Sequence, residues 1–116
     1  MSTARPSKIV PQPGSEPPTG KRDDPKYRSR QWMAAVASIG ACVLCGKHGV
    51  QVAHRNEGKA KGRKTDDCLT AALCPECHIE IDSGKRLDRD QRRAMMDRAI
   101  VLTLLELVRA GKVFVD

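Results

Sequence analysis

Residues 73–82 read LCPECHIEID, and the fold turns on what Cys74-Pro75-Glu76-Cys77-His78 is for. A Cys-x-x-Cys-His string is the attachment pattern of a c-type haem, and equally the second half of a zinc site followed by a histidine. Upstream stands a second pair, Cys42 and Cys45, with 28 residues between the pairs. Two such hooks match a closed tetrahedral zinc site, because two intervening residues let one turn present both sulfurs to one ion. The gap exceeds that of the commonest zinc ribbons, as expected if a segment is inserted between the hooks. Haem would leave Cys42 and Cys45 unexplained and would need an exported protein. The expectation is therefore structural Zn²⁺ on Cys42, Cys45, Cys74 and Cys77, without which the domain largely unfolds. Cys68 is left over and reads as a small buried hydrophobe or a bystander.

Such a staple is needed. The chain has 116 residues, and six of its seven prolines (Pro6, Pro11, Pro13, Pro17, Pro18, Pro25) fall in the first 25. Residues 1–24 read as a disordered Pro-rich tail, leaving 25–116 as one small zinc-stapled domain. Its only aromatics are Tyr27, Trp32 and Phe114, so the core is poor in large side chains. No secretory signal is legible at the N-terminus. The longest apolar run, Ala99 to Val108, falls well short of the ~20 residues that cross a bilayer. A cytoplasmic location keeps thiols reduced and favours metal over disulfides.

Periodicity organises the rest. Trp32, Val36 and Ile39 fall on one face of a helix that Gly40 can end. "VQVAH" alternates as a short strand with Val50, Val52 and His54 on one side. "CHIEIDSG" suggests a short helix placing His78 and Asp82 at i, i+4. Asp88 and Gln91 resemble a capping box opening a last helix that runs to about Ala110, with Gly111 after it. A "VFV" strand is expected to close the chain. Between Ala99 and Val108 only Thr103 and Glu106 are polar. That stripe is wide for a monomer's surface helix, so it is covered by the Trp32 helix or pairs with a second subunit as a homodimer. The domain's need of a core favours the first.

The formal net charge is +7, and the excess gathers in "HRNEGKAKGRK", where Arg55, Lys59, Lys61, Arg63 and Lys64 face Glu57 alone. A charge run is usually a solvated loop, but this one lies between the two hooks, which points to a phosphate-facing surface. His78 follows a cysteine anchored by metal, and His54 ends the strand between the hooks. Zinc would tie their segments together, so the two could face each other across a cleft, one holding a divalent ion and the other activating water. Local structural roles for both histidines stand equally open on the residues alone. His48 reads as exposed.

The ordered series CVLCG, VAH, GKAKGRKTDDCLTAALCPECHIEID, with its DPKY…W lead-in, resembles the HNH endonucleases. It is similar in particular to small phage- and prophage-encoded nucleases with Cys-x-x-Cys hooks and to the phage recombination-enhancement group. The likeness covers roughly Asp24 to Asp82. It implies an α+β domain built on a treble-clef-like ββα-metal finger with flanking helices. It also implies a DNA endonuclease whose strand histidine (His54) is the general base and whose helix histidine (His78) binds catalytic Mg²⁺ or Mn²⁺. Asp67 falls near the place of the family's middle asparagine. Asp82 joins the ion by helical spacing alone.

Many relatives carry an acid or histidine before the strand histidine, where this chain has Ala53. Either His54 is the base and the ion has one protein ligand fewer, or His54 is the ligand and the base lies elsewhere; the first is preferred. Arg55, Lys59, Lys61, Arg63 and Lys64 are assigned to nucleic acid. Scarce aromatics disfavour stacking on single strands, which leaves duplex or branched DNA. A recombinase partner and action in a bacterial host cell follow from the resemblance only. The rival is a non-catalytic zinc module binding nucleic acid or protein, which the missing acid before His54 keeps open.

Overall fold

The computed structural model describes residues 25–55 and 65–116. The tail 1–24 and most of the basic run, including Lys59, Lys61, Arg63 and Lys64, lie outside them. The described residues form a small α+β unit: α1 (Arg30–Ala37), β1 (Gln51–His54), β2 (Thr70–Leu73), α2 (Pro75–Ser83) and α3 (Arg89–Arg109).

Each helix starts where its sequence supplies a cap. The Ser29 hydroxyl accepts the Trp32 N–H of α1 at 3.0 Å. At α2 the cap is Cys74, whose sulfur accepts the Cys77 N–H at 3.5 Å, with Pro75 in the first turn. Its missing N–H costs nothing there. At α3, Asp88 and Gln91 form the full capping box, and Gly111 ends the helix with φ +73°, a left-handed conformation that glycine adopts freely.

Strands β1 and β2 pair antiparallel with Val52 opposite Ala72 and His54 opposite Thr70. Alternation gives the hairpin two faces. One carries Ala53, Ala71 and Leu73 and packs against Cys42, Cys74, Ile81, Met96 and Ala99. The other carries Val52 and Ala72 and packs against Val36, Leu107 and Trp32. All four residues of β2 are buried, and the small side chains of Ala71 and Ala72, one on each face, let helices approach both sides. Because both faces are covered, β2 shows no alternation of polarity, and periodicity alone does not reveal it.

Helix α3 runs along the outer edge of β2. The Ala72 N–H donates to Thr103 Oγ1 at 3.2 Å, and the Ala72 carbonyl accepts the Val43 N–H at 3.0 Å. The free edge is thus taken by a side chain and by the first cysteine hook. The expected Val113–Val115 strand is not formed: after Gly111 the chain has no regular structure. The apolar run of α3 is only partly covered. Met96, Ala99, Thr103 and Leu107 are buried, but Val101, Leu104, Leu105 and Val108 are exposed.

Thr103→Val keeps the shape but leaves a buried backbone N–H without an acceptor. We expect a loss of about 1–3 kcal/mol, seen as a lower urea midpoint with an unchanged slope. Thr103→Ser, which retains the hydroxyl, should lose less. Equal losses in the two variants would show that the hydrogen bond contributes nothing.

Candidate metal centre and histidine sites

The first hook is a knuckle between α1 and β1. Cys42 N–H donates to the Lys47 carbonyl and Gly46 N–H to the Cys42 carbonyl at 2.8 Å. Gly46 takes φ +82°, which allows the chain to turn immediately after Cys45. The second hook is the first turn of α2. The hairpin and the Val43–Ala72 bond bring the two together, so that the four sulfurs of Cys42, Cys45, Cys74 and Cys77 all lie within 4.8 Å of one another. A tetrahedral zinc with ~2.3 Å bonds sets its sulfurs ~3.8 Å apart, and Cys45 to Cys74 is 3.6 Å. The donor set and its spacing fit structural zinc.

Burial opposes ionisation of the Cys42 thiol, yet backbone N–H groups of Cys74, Cys45 and Leu44 and the Cys45 side chain bring it down to about 6. Burial pushes Cys74 and Cys77 up, a cost that a bound cation removes. Lys47 and Glu76 form an ion pair at 2.7 Å that joins the two hooks at the surface. Cys68 lies outside the cluster with its thiol raised by burial, as a bystander does.

His54 and His78 enter separate networks. His54 Nε2 is 3.0 Å from Asp67 Oδ1. The same carboxylate accepts Arg28 Nη1 at 3.1 Å and the Ser29 N–H at 2.8 Å. Burial would raise the Asp67 pKa, but these hydrogen bonds from His54, Ser29 and Arg28, with the Arg28 charge, hold it below the ordinary carboxylate value. An ionised carboxylate can only accept, so Nε2 of His54 donates to Asp67, which in a neutral imidazole makes Nδ1 the acceptor nitrogen. Thr65 Oγ1 donates to the Arg55 carbonyl at 3.0 Å, closing the neck of the basic segment beside this network. Arg55 itself pairs with Asp97 of α3 at 3.1 Å.

On α2, His78 Nδ1 lies 2.8 Å from Gln51 Oε1, and Nε2 lies 3.4 Å from Asp82 Oδ2. The expected i, i+4 pair is therefore formed. The expected cleft with the two histidines facing each other is not. Gln51 and His54 belong to opposite faces of β1, so His78 meets the Gln51 side while His54 turns to the Arg28 and Asp67 side. Three residues of strand also separate them, ~10 Å along the backbone. Arg28, Ser29 and Gln51 are site neighbours that spacing did not flag, since their partners lie 27 to 39 residues away. The DPKY lead-in was the one signal near them. His48 is exposed, as expected.

Among the described residues no helix is long and apolar enough to cross a membrane. Comparison of the chain with protein-family models, with curated proteins and with solved structures finds no match.

Proposed function

We propose that this protein is a metal-dependent endonuclease of the HNH type, phage- or prophage-encoded, that nicks or cleaves duplex or branched DNA in a bacterial host. The observation that carries this reading is the His54–Asp67 hydrogen bond at the neck of the basic segment. It orients the imidazole so that Nδ1 is the proton acceptor of the neutral ring, on a strongly cationic chain.

In this reading His54 Nδ1 takes a proton from water, and the hydroxide adds to phosphorus. The opposite P–O bond then breaks, and its oxygen takes a proton from solvent. Asp67 holds the imidazole's tautomer and stabilises the imidazolium that forms. Arg28, already beside Asp67, and the basic residues Arg55, Lys59, Lys61, Arg63 and Lys64 hold the phosphate backbone. His78 Nε2 and Asp82 Oδ2 stand at a separation suited to neighbouring ligands of one ion, since octahedral bonds of ~2.1 Å set adjacent donors ~3 Å apart. Mg²⁺ or Mn²⁺ held by His78 and Asp82 would supply positive charge to the DNA backbone on that side of the hairpin.

The alternative is a non-catalytic zinc module that binds nucleic acid or a protein partner. The placement of His54 and His78 on opposite hairpin faces favours it. Incubation of zinc-loaded protein with supercoiled plasmid, with and without Mg²⁺ or Mn²⁺, separates the two. We expect ion-dependent nicking by wild type and none by His78→Ala. Nicking retained in His78→Ala would remove that histidine from the reaction and leave His54 and Asp67 as its centre. Salt-sensitive binding without nicking would establish the alternative.

A further inference from the structure

Tyr27, Trp32 and Phe114 are the only aromatic residues of this chain, and the fold brings all three to one groove. It lies between the start of α1 and the segment after α3, with a volume of about 320 Å³. Tyr27 meets Trp32 edge-on, with ring centroids 6.4 Å apart and planes at 89°. Tyr27 is 46% exposed and Phe114 76%, so both rings keep surface open to solvent. The exposed Gln31 adds an amide to the lining. Lys112, also exposed, is the one charged residue that lines the groove, and no acid does. Such a lining suits a flat body that has hydrogen-bonding edges and carries negative charge.

The position of the groove narrows the choice. Tyr27 and Ser29 both line it, and their backbones hold Asp67: the Asp67 N–H donates to the Tyr27 carbonyl at 2.9 Å, and the Ser29 N–H donates to Asp67 Oδ2 at 2.8 Å. Asp67 Oδ1 in turn holds His54. The groove and the His54–Asp67 pair therefore share one three-residue segment. Scattered along a surface, three aromatics would make a poor single-strand binder. Gathered beside a lysine, they form a stacking platform with a phosphate contact. We infer that this groove binds an unpaired nucleotide of DNA, with its base against the rings of Tyr27 and Phe114 and a phosphate at Lys112. The inference rests on the nuclease reading and narrows its substrate to DNA that carries unpaired bases beside a duplex, such as a fork.

The test measures binding of the zinc-loaded full chain, without Mg²⁺ or Mn²⁺, to two forked duplexes. One has unpaired dT arms; the other has abasic arms of equal length, which keep the phosphates and remove the bases. Wild type should bind the dT fork roughly tenfold tighter, within the ~5- to 150-fold that one stacked base contributes. Trp32, the only tryptophan, should change its emission with the dT fork and not with the abasic one. Phe114→Ala and Tyr27→Leu should each lose most of that preference while binding the abasic fork as wild type does. Phe114 is exposed, so its removal should leave circular dichroism and zinc content unchanged. Lys112→Gln should weaken both forks and flatten the log–log salt dependence by about 0.7, the share of one phosphate contact on a single strand. Equal affinity for the two forks overturns the inference alone and leaves the groove to an apolar occupant. A preference that survives Phe114→Ala and Tyr27→Leu places the bases elsewhere on the protein. Failure to bind either fork removes the nuclease reading together with the inference.

Discussion

Removing zinc is expected to unfold this domain outright. The largest fully buried side chains are Leu73, Leu107, Val36, Thr70, Thr103 and Cys74; no aromatic is among them. Cys42 and Cys74 are themselves members of the core cluster that holds Ala53, Ala71, Leu73 and Ile81. The metal centre is therefore part of the hydrophobic core and not an attachment to it. Structural zinc contributes on the order of 10–16 kcal/mol in small domains, which matches or exceeds the ~5–15 kcal/mol net stability of an ordinary domain. A strong chelator should abolish the helical circular dichroism, with one zinc released per chain, and added Zn²⁺ should restore it. Cys45→Ser and Cys77→Ser should behave like the chelated protein at ordinary zinc concentrations. A cooperative melt that survives chelation would mean that the four thiols are a free cluster within a self-sufficient core.

The second large effect concerns Asp67. His54→Ala should lower nicking by ~10²–10⁴-fold, the usual contribution of a general base, with fold and zinc content retained. Asp67→Asn should lower it comparably by a different route. An amide can donate to Nε2, which moves the imidazole proton to Nδ1 and removes the base. It also weakens the bonds from Arg28 and Ser29 that dock the lead-in to α1 onto the segment before β2, so this variant should melt lower as well.

The pH dependence of that stability has a definite sign. The folded pKa of Asp67 lies below the ordinary value. Its contribution is therefore fully present above about pH 4 and is lost as pH falls through the lower folded value. The gap in melting temperature between wild type and Asp67→Asn should be constant at neutral pH and close in acid. A gap that instead widened in acid would contradict an ionised Asp67. Wild-type nicking by either histidine variant would remove that residue from the proposed chemistry.

Much of this architecture was legible because it is local. The Cys-x-x-Cys spacing, the Asp88–Gln91 capping box, the Gly111 stop and the His78–Asp82 pair all depend on residues within one or two turns. Backbone geometry fixes such relations before any tertiary contact forms. Even the four-sulfur cluster followed from spacing, because each hook presents its two ligands by itself.

What the chain alone did not disclose depends on partners distant in sequence. Strand β2 hid behind four buried residues, Thr70 to Leu73, with no alternation. Val113–Val115 had the residues of a strand but joins neither strand, and Thr103 and Val43 hold the backbone of Ala72. Asp67 reads as an acid near a motif until Arg28, Ser29 and His54 converge on it across 13 to 39 residues. The separation of His54 from His78 was decided by strand parity and by which helix covers each face. A side chain's local conformation can be read from its neighbours in sequence. The face it shares, and the groups that hold its charge and proton, are set only when the layers pack.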